Sequence, residues 1–382
     1  MRVFVIDISG KVLFYDQALC NALAYENVSE VFFVATDISK YCSECNSHVI
    51  SLLSLVPRRY KNSDCLLKRA VKAIEALLNY MYLLHICRRR KPDVVHFQWL
   101  PLLEVSSFET VFLRLIRKVL PRTRLVLTIH NIYPHGFCPD EQIKYKKRFI
   151  QASSFFDGFI CHTDISKREV VGQFGIDENC ISVVHHGAFE PDLSGIKCEP
   201  DKEKTRLIVY GNQSPYKGTD ILIDALSKLS PAYRNRIQLS VVGQIQPQYY
   251  VALREKGAGL DINWMPSFVD DRTLNQEIVN ADIIVLPYRS ITQSGVLLLA
   301  LYFRKIIVCS DLPSFRETLE GYPSNLFFEA GSIEGLKSVI ERILDHQTDN
   351  ERALEVIDKL REKYSWESAA KKTINVYKTI LV

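Results

Sequence analysis

Two short segments in the second half of the chain contain residue types that bind phosphate groups. In the first, an apolar run ends at Tyr210, Gly211 and Asn212 follow it, and Lys217-Gly218 precede an amphipathic helical pattern. A lysine in such a loop can neutralise a phosphate while the free amides at the helix start help to bind it. The segment alone leaves open the alternative, a solvated lysine in an ordinary turn.

The second segment lies between two apolar stretches. The run Ala281–Tyr288 predicts a buried strand, and Thr292-Gln293-Ser294-Gly295 then opens an apolar helix. Glycine at a helix start lets an anion approach the free amides closely, and the helix dipole favours negative charge there. We interpret the segment as a pyrophosphate-binding helix start; ordinary Ser/Gly capping is the alternative.

Histidines recur beside apolar runs in the first half of the chain: His96 (with Gln98), His130, His135, His185 and His186. Such a histidine can hydrogen-bond sugar hydroxyls or phosphate, or transfer a proton. Any one of them could be a structural or surface residue, but their shared position beside predicted strand ends favours a function. No H-E-x-x-H or comparable metal-binding spacing occurs, so we expect no metal site.

A glycine also follows the first predicted strand, in Ile8-Ser9-Gly10-Lys11. The G-x-G-x-x-G pattern of dinucleotide-binding loops is absent, which argues against NAD binding.

These segments lie in alternating apolar runs and helical patterns, which are typical of parallel βαβ units. We predict two Rossmann-like α/β domains, residues 1–192 and 205–364, joined by a polar linker over 193–205 and followed by a last helix over 365–382. Six strands are predicted in each domain: Val3–Ile8, Val31–Ala35, Val94–Phe97, Arg124–Ile129, Gly158–Cys161 and Ile181–Val184, then Arg206–Tyr210, Gln238–Val242, Ile262–Trp264, Ile283–Leu286, Ile306–Cys309 and Asn325–Phe328. In open α/β sheets, ligands bind beyond the carboxyl ends of the strands, where these motifs fall.

The composition excludes several classes of protein. With 382 residues, 47% of them hydrophobic, and ten scattered cysteines, the chain does not resemble a disulfide-rich secreted scaffold. Cys42 and Cys45 form one C-x-x-C without a second pair at zinc spacing. The net charge of +4 is too small to indicate nucleic-acid binding. Neither a signal peptide nor a membrane-spanning run is visible, so we expect a cytoplasmic protein.

Taken together, the motifs resemble the GT-B glycosyltransferases, specifically the group 1 retaining family, over nearly the whole chain and in order. The matching segments are Tyr210-Gly211-Asn212, Lys217-Gly218 with Leu222–Leu226, Ala281–Tyr288, His186-Gly187, His130, Met265–Val269, and a terminal helix with Trp366 and Tyr377. The resemblance implies a GT-B fold: two doubly wound parallel-sheet domains facing a cleft, the first binding the acceptor, the second the nucleotide-sugar donor. It also implies that the terminal helix crosses back onto the first domain.

By that resemblance, donor-binding residues are Gly10, Gly211, Asn212, Lys217, Ser267, Phe268, Ser294, Gly295 and Val296. Lys217 and Asn212 bind the diphosphate, and the amides of 294–296 assist. Phe268 and Ser267 hold the base, while Gly10 leaves room near the reacting carbon. Lys217 and His130 are the catalytic residues, with His130 contacting the donor sugar, and His96 and Gln98 are assigned to the acceptor.

Departures from the family pattern bear on the donor. The two glutamates usual in the family are replaced, in our register, by Ile291 and Leu299, and Asn212 stands at the usual arginine. Gln293 is our candidate to replace the glutamates in sugar recognition. We expect transfer of a sugar from a nucleotide-diphosphate sugar to a glycan or lipid-linked acceptor, in polysaccharide or glycoconjugate biosynthesis, without a cofactor or metal. An inactive GT-B partner subunit and a nucleotide-sugar epimerase remain alternatives.

Basic residues cluster in the first half, at 58–61, 88–91, 114, 117–118 and 144–148. Several flank apolar helical stretches, which suits peripheral contact with an anionic membrane. A solvated basic surface is the alternative.

Overall fold

A computed structural model describes residues 1–26, 28–36, 46–54, 66–134, 137–188, 190–198, 203–291 and 294–382, with the backbone only over 66–70. It divides the chain into two compact units. Unit 1 comprises Met1–Gly187 and Ser365–Val382, and unit 2 comprises Ala188–Tyr364. The boundary between the two units falls after Gly187, whereas the sequence predicted that the first domain ends at residue 192. Ala188 lies in the core of unit 2, and its amide donates to Tyr364 O at 2.7 Å.

Unit 1 contains a sheet of seven parallel strands, which lie side by side in the order β3-β2-β1-β4-β5-β6-β7. The strands are β1 (Arg2–Asp7), β2 (Glu30–Thr36), β3 (His48–Leu52), β4 (Val94–Phe97), β5 (Arg124–Thr128), β6 (Gly158–Cys161) and β7 (Ile181–Val183). The helices between them are α1 (Leu13–Tyr25), α2 (Leu66–Arg90), α3 (Phe108–Val119), α4 (Pro139–Ser153) and α5 (Asp164–Phe174). The order in which strands are added to the sheet reverses between β1 and β4. The carboxyl ends of these two strands are therefore the expected ligand-binding point.

Unit 2 contains a second parallel sheet, in the order β10-β9-β8-β11-β12-β13. Its strands are β8 (Thr205–Tyr210), β9 (Ile237–Val242), β10 (Ile262–Met265), β11 (Ile283–Leu286), β12 (Ile306–Ser310) and β13 (Phe327–Phe328). Its helices are α6 (Thr219–Ser227), α7 (Pro231–Arg234), α8 (Pro247–Lys256), α9 (Asp271–Asn280), α10 (Gly295–Tyr302), α11 (Pro313–Thr318), α12 (Ile333–Leu344) and α13 (Asn350–Lys363). Here the strand order reverses between β8 and β11.

The last helix, α14 (Trp366–Leu381), belongs to unit 1, as the resemblance implied. Alternate residues of the unit 1 strands build two cores because successive side chains of a strand point to opposite faces. Phe4 and Ile6 pack with α2–α5, whereas Val3 and Val5 pack with α1 and α14. Burial on both faces explains why these strands appear in the sequence as continuous apolar runs.

The predicted strands are present, with shifted ends. The predicted Asn325–Phe328 begins as a 3₁₀ turn over Ser324–Leu326, so only Phe327–Phe328 pair as β13. Strand β3 was missed because it is an edge strand with mostly exposed side chains. No helix in the described part of the chain is both long enough and apolar enough to cross a membrane.

Candidate active site

The loop after β8 is shaped by a glycine that no other residue could replace without strain. Gly211 has φ +91°, in the left-handed region that favours glycine. A Cβ there would lie 2.9 Å from Lys217 Nζ and 3.3 Å from Val296 Cγ2. The backbone at Gly211 is therefore the point where the lysine and the start of α10 meet.

Lys217 ends a 3₁₀ turn over Pro215–Lys217 and is only 7% exposed. Its ammonium lies 5.5 Å from the centroid of the Tyr288 ring, a cation–π distance. Burial lowers the pKa of Lys217 to about 8, because the charged amine loses its hydration. Bound anionic oxygens would restore that lost solvation, which is the chemistry expected of a diphosphate-binding lysine.

Helix α10 presents its amino end at the same point. Ser294 is the N-cap, and its Oγ accepts a hydrogen bond from Leu297 N at 3.1 Å. The hydroxyl of Tyr210 donates to Val296 O at 2.7 Å, which ties the end of β8 to the first turn of α10. Gly295 is exposed, and a Cβ there would meet nothing within 4 Å. Thr292 and Gln293, the other residues of the predicted cradle, lie outside the described residues.

Two contacts that sequence reasoning missed hold these loops together. Arg289, after β11, donates two hydrogen bonds to the Asp220 carboxylate at 2.9 and 2.7 Å and a third to Pro215 O. Its backbone amide donates to Tyr216 O at 2.7 Å. The loop that carries Lys217 is therefore fixed to the segment that leads to α10.

The second contact is made by Gln213, which is 2% exposed. Its amide donates to Gly211 O at 3.0 Å and accepts from the Thr219 hydroxyl at 2.6 Å. A buried amide with these partners keeps the Gly211 loop in one conformation. Asn212, between them, is exposed and free to face a ligand.

The predicted base-binding loop follows β10. Gly243 N donates to Met265 O at 2.9 Å, and Ile245 N donates to Pro266 O at 3.2 Å, so the loop continues the sheet next to β9. Beyond these bonds, Ser267 is exposed and the Phe268 side chain is 84% exposed. An aromatic ring this exposed is available to stack on a planar ligand.

In unit 1, the loop after β1 is organised by a buried carboxylate. Asp7 has no exposed surface and accepts hydrogen bonds from Ser9 N, Ser9 Oγ, Gly10 N and Val12 N at 2.7 to 3.1 Å. Gly10 has φ +60°, and a Cβ there would lie 3.2 Å from Thr36 Oγ1. Asp7 thus holds the Gly10 loop and has no surface from which it could act as a base.

His130 follows β5 and lies in a group of buried rings. Its Nδ1 is 3.1 Å from Nε2 of His162, and its Nε2 is 3.2 Å from Oε1 of Gln98. Burial, together with the neighbouring imidazoles, lowers the pKa of His130 well below its ordinary value. His130 is therefore neutral at physiological pH, which suits hydrogen bonding to an uncharged hydroxyl.

His96 and Gln98 require a correction. Both are fully buried, and His96 bonds the Tyr377 hydroxyl through Nδ1 and the Thr128 hydroxyl through Nε2, each at 2.7 Å. His96 therefore connects β4 to α14 inside unit 1 and has no surface for an acceptor. Gln98 lines a small cavity of about 20 Å³ together with Trp99, His130 and Asn131. His135 lies outside the described residues, as do Cys42 and Cys45.

Within the described residues, no group of three or more His, Cys, Asp or Glu side chains is arranged to hold a metal ion. The positive charge at the candidate diphosphate site comes from the Lys217 amine and the amides of α10.

Two units with doubly wound parallel sheets, each carrying polar residues at the point where its strand order reverses, define the GT-B class of proteins. A model described as "Glycosyl transferases group 1" matches residues 204–346, and one described as "Glycosyltransferase Family 4" matches residues 46–188. The chain belongs to the group 1 glycosyltransferases.

Solved structures of this fold align over almost the whole chain. A glycosyltransferase from Rickettsia africae ESF-5 aligns with a TM-score of 0.70 and 17% identity over 99% of this chain and 98% of its own. Anabaena Alr3699/HepE, solved with UDP, aligns with a TM-score of 0.71 and 16% identity over 99% of this chain and all of its own. At these identities the likeness shows the fold.

Among curated relatives, a GDP-mannose:glycolipid 4-beta-D-mannosyltransferase of Xanthomonas campestris pv. campestris is 32% identical over 98 residues. The matched stretch is 25% of this chain and 27% of the relative, so the chain matches about a quarter of that protein's length.

Proposed function

We propose that this protein transfers a sugar from a nucleotide-diphosphate sugar to a glycan or lipid-linked acceptor in polysaccharide or glycoconjugate biosynthesis. The observation that carries the proposal is the convergence of the buried Lys217 amine and the start of α10 on Gly211. The relatives support the donor class: one is named for GDP-mannose, and another was solved with UDP-glucose.

The costly step of such a transfer is departure of the diphosphate, on which negative charge grows. Lys217 and the amides of Ser294–Val296 would stabilise that charge, and they are held in place before the reaction by Gly211 and Arg289. Because the lysine and the helix start supply positive charge, we propose that no metal ion or cofactor is required. Asn212 assists at the diphosphate, and Phe268 with Ser267 holds the base.

We further propose that the sugar keeps its anomeric configuration. Inversion would need a general base, for which Asp7 and His130 are the candidates. Asp7, the carboxylate at the end of β1, is buried and engaged by four hydrogen bonds, and we assign His130 to the hydroxyls of the sugar. In a retaining transfer the leaving phosphate can accept the proton of the acceptor hydroxyl. His130 would contact the sugar through its hydroxyls, and the Gly10 loop would leave room for the reacting carbon.

The first test is a thermal-shift screen of the full chain against UDP, GDP, ADP and their sugars, followed by product analysis with the donor that binds. Lys217→Ala is expected to lower transfer by a hundredfold or more, because removal of a preorganised charge donor costs about 3–4 kcal/mol in the barrier. Lys359→Ala, in exposed α13, is the matched control and is expected to transfer normally.

The outcomes separate the alternatives. Near-normal turnover of Lys217→Ala would refute the assignment of the diphosphate site. Donor binding without transfer or hydrolysis would instead indicate a non-catalytic partner subunit. An epimerised nucleotide sugar, formed without acceptor, would indicate an epimerase. The anomeric configuration of a transferred sugar decides between retention and inversion.

We also propose that unit 1 touches an anionic membrane through the outer face of α2–α4, at the inner side of the cell membrane. On α2, exposed apolar residues recur at helical spacing and continue into the exposed Arg88 and Arg89; they are Ile74, Leu77, Leu78, Met81 and Tyr82. Exposed α3 and α4 residues repeat the combination: Val111, Arg114, Leu115 and Lys118, then Ile143, Lys144, Lys147 and Ile150. Apolar side chains flanked by lysine and arginine favour insertion at a negatively charged lipid surface.

Two predicted members of this basic surface have another role. Arg148 donates to Leu103 O at 3.1 Å and to Glu104 O at 3.0 Å. Arg117 donates to Phe155 O and to the Asp157 carboxylate, both at 2.5 Å, so it binds within unit 1 rather than facing outward. Residues 58–61 lie outside the described residues.

Sedimentation with vesicles tests the surface. The full chain is expected to bind vesicles that contain phosphatidylglycerol, and the double substitution Ile74→Ser and Met81→Ser is expected to lose most of that binding. Val251→Ser, at an equally exposed position in unit 2, is the control. Equal binding by the two variants would exclude the α2 face as the contact.

A further inference from the structure

A chain of hydrogen bonds joins two histidines of unit 1 to the backbone at one end and to Gln98 at the other. Nδ1 of His162 lies 2.9 Å from Val184 O. Nε2 of His162 lies 3.1 Å from Nδ1 of His130, and Nε2 of His130 lies 3.2 Å from Oε1 of Gln98. His162 belongs to none of the sequence motifs, and the role proposed for His130 does not use it.

The hydrogen bond to the backbone at Val184 fixes which imidazole nitrogens of His162 and His130 carry a hydrogen. A carbonyl oxygen only accepts, so Nδ1 of His162 carries the hydrogen in its bond to Val184 O. Burial lowers the pKa of His162 to about 3, and the pKa of His130 also lies well below its ordinary value, so both rings are neutral at physiological pH. A neutral His162 protonated at Nδ1 has a lone pair at Nε2. His130 must then donate from Nδ1, which leaves a lone pair on its Nε2.

The opposite arrangement leaves a buried conflict. If His130 donated from Nε2, His162 would have to donate from Nε2 as well, and its Nδ1 lone pair would face Val184 O at 2.9 Å. Two buried acceptors would then meet, at the cost of an unsatisfied group. At the other end the Gln98 amide turns through 180° and presents its NH₂ group, so His130 Nε2 accepts from Gln98 when no ligand is bound.

The other titratable groups around the pair add no charge that would change this arrangement. The ring of Tyr15 packs perpendicular to that of His130, at a centroid distance of 5.0 Å, and burial raises the pKa of Tyr15. His186 lies 5.6 Å from His162 between ring centroids, with its pKa lowered by burial. His185 Nδ1 donates to His162 O at 3.1 Å, so it contacts the backbone of His162 and not its ring.

We infer that His162 is a positioning residue that fixes the tautomer of His130, so that His130 Nε2 is an acceptor that a hydroxyl of the ligand can bind in place of Gln98. The inference rests on the proposed function and specifies its sugar contact. A sugar hydroxyl can donate to this nitrogen, whereas the ionised oxygens of a diphosphate cannot. His130 therefore favours the sugar part of a nucleotide sugar over its phosphates.

Long-range ¹H–¹⁵N correlation spectra of the histidine rings test the tautomer in the full chain without any ligand. The His130 signals are assigned by their loss in His130→Gln. The wild-type protein at neutral pH is expected to show His130 protonated at Nδ1 and not at Nε2. A wild-type His130 protonated at Nε2 would overturn the inference. This measurement requires no variant at position 162.

Two variants test the cause. His162→Leu removes the acceptor and is expected to release His130 to a mixture of tautomers. His162→Gln offers an amide oxygen in its place and is expected to keep Nδ1 protonated. Unchanged His130 signals in the leucine variant would show that His162 does not fix the tautomer. The His96 signals report whether the core of unit 1 stays intact in both.

Binding measurements link the tautomer to the sugar. His162→Leu is expected to weaken UDP-glucose or GDP-mannose, whichever the wild type binds, by about fivefold, the equivalent of one neutral hydrogen bond. Binding of UDP or GDP alone is expected to stay unchanged. Equal weakening of both would overturn the sugar-specific role. A wild type with the inferred tautomer that binds no nucleotide sugar would count against the proposed function instead.

Discussion

Proton uptake on donor binding is a direct consequence of the burial of Lys217. Its pKa is about 8 in the ligand-free protein, so a large fraction of the molecules carry a neutral amine at mildly alkaline pH. A bound diphosphate favours the ammonium form and returns the pKa toward or above its ordinary value. Binding above about pH 7 should therefore draw a proton from solution.

The magnitude follows from the pKa alone. Half of the amines are neutral at about pH 8 and about nine-tenths at pH 9, so uptake rises from about 0.1 proton at pH 7 to about 0.5 and about 0.9. The apparent Kd rises about tenfold between pH 7 and pH 9 because only the protonated amine binds strongly. The shift from 10.5 to about 8 corresponds to about 3 kcal/mol of lost preference for the charged amine.

Calorimetry with a nucleotide sugar, in buffers of different ionisation enthalpy, measures the uptake. The sugar ester is preferable to the free nucleotide because a terminal phosphate titrates near pH 6. Lys217→Arg is the matched variant: arginine stays charged throughout this range, so its binding should neither take up a proton nor weaken at pH 9. The same uptake in Lys217→Arg as in the wild type would refute the reasoning, and so would a wild-type Kd that does not change from pH 7 to pH 9.

The free energy of unfolding of the ligand-free protein should rise with pH over the range in which donor binding weakens. A lysine with a lowered pKa binds fewer protons in the folded state than in the unfolded state between about pH 8 and pH 10.5. Its contribution to the free energy of unfolding therefore rises with pH across that window, while the stabilisation added by the donor falls. Thermal melts with and without donor separate the two effects.

Two further predictions concern Gly218 and Phe268 in unit 2. Gly218→Ala should lower the free energy of unfolding by about 2 kcal/mol or more, because φ is +70° and the added Cβ would lie 1.8 Å from Pro287 O. Gly172→Ala, in α5 with nothing within 4 Å, is the control and should gain about 0.5–1 kcal/mol in urea unfolding. Phe268→Ala should leave melting unchanged, since the ring is 84% exposed, but weaken nucleotide binding about tenfold by loss of base stacking; unchanged affinity would remove Phe268 from the site.

The sheets could be predicted from the sequence because both faces of most strands are buried. Such strands appear as continuous apolar runs, and the loops after them carry Gly211, Lys217 and Ser294. Edge strand β3 has no such signal, since its exposed side chains give a mixed pattern. Parallel pairing also implies that residues after β8 and β11 meet at one edge, which the structure confirms for Lys217 and Val296 through Gly211.

The contacts that fix the site could not be predicted. Asp220 and Arg289 are 69 residues apart, and His96 meets Tyr377 across 281 residues, with no periodic signal for either pair. For His96, however, a signal was present. It lies inside the predicted strand Val94–Phe97 rather than after it. Because it is two residues from Val94, its side chain lies on the same buried face of the strand as the side chain of Val94.

In the register predicted from the sequence, two apolar residues stand at the family's glutamate positions, which would limit how this protein recognises a sugar. Ile291 and Leu299 are half-buried against the core of unit 2, and Ile291 O accepts a hydrogen bond from Ser314 at 3.0 Å. Leu297, Leu298, Ala300 and Leu301 are buried around the same helix, so α10 offers a ligand its amino end and no carboxylate. Hydroxyl groups of a sugar need acceptors, and a helix start supplies only donors. The acceptors must therefore come from other residues, and we propose that His130 Nε2 is one of them.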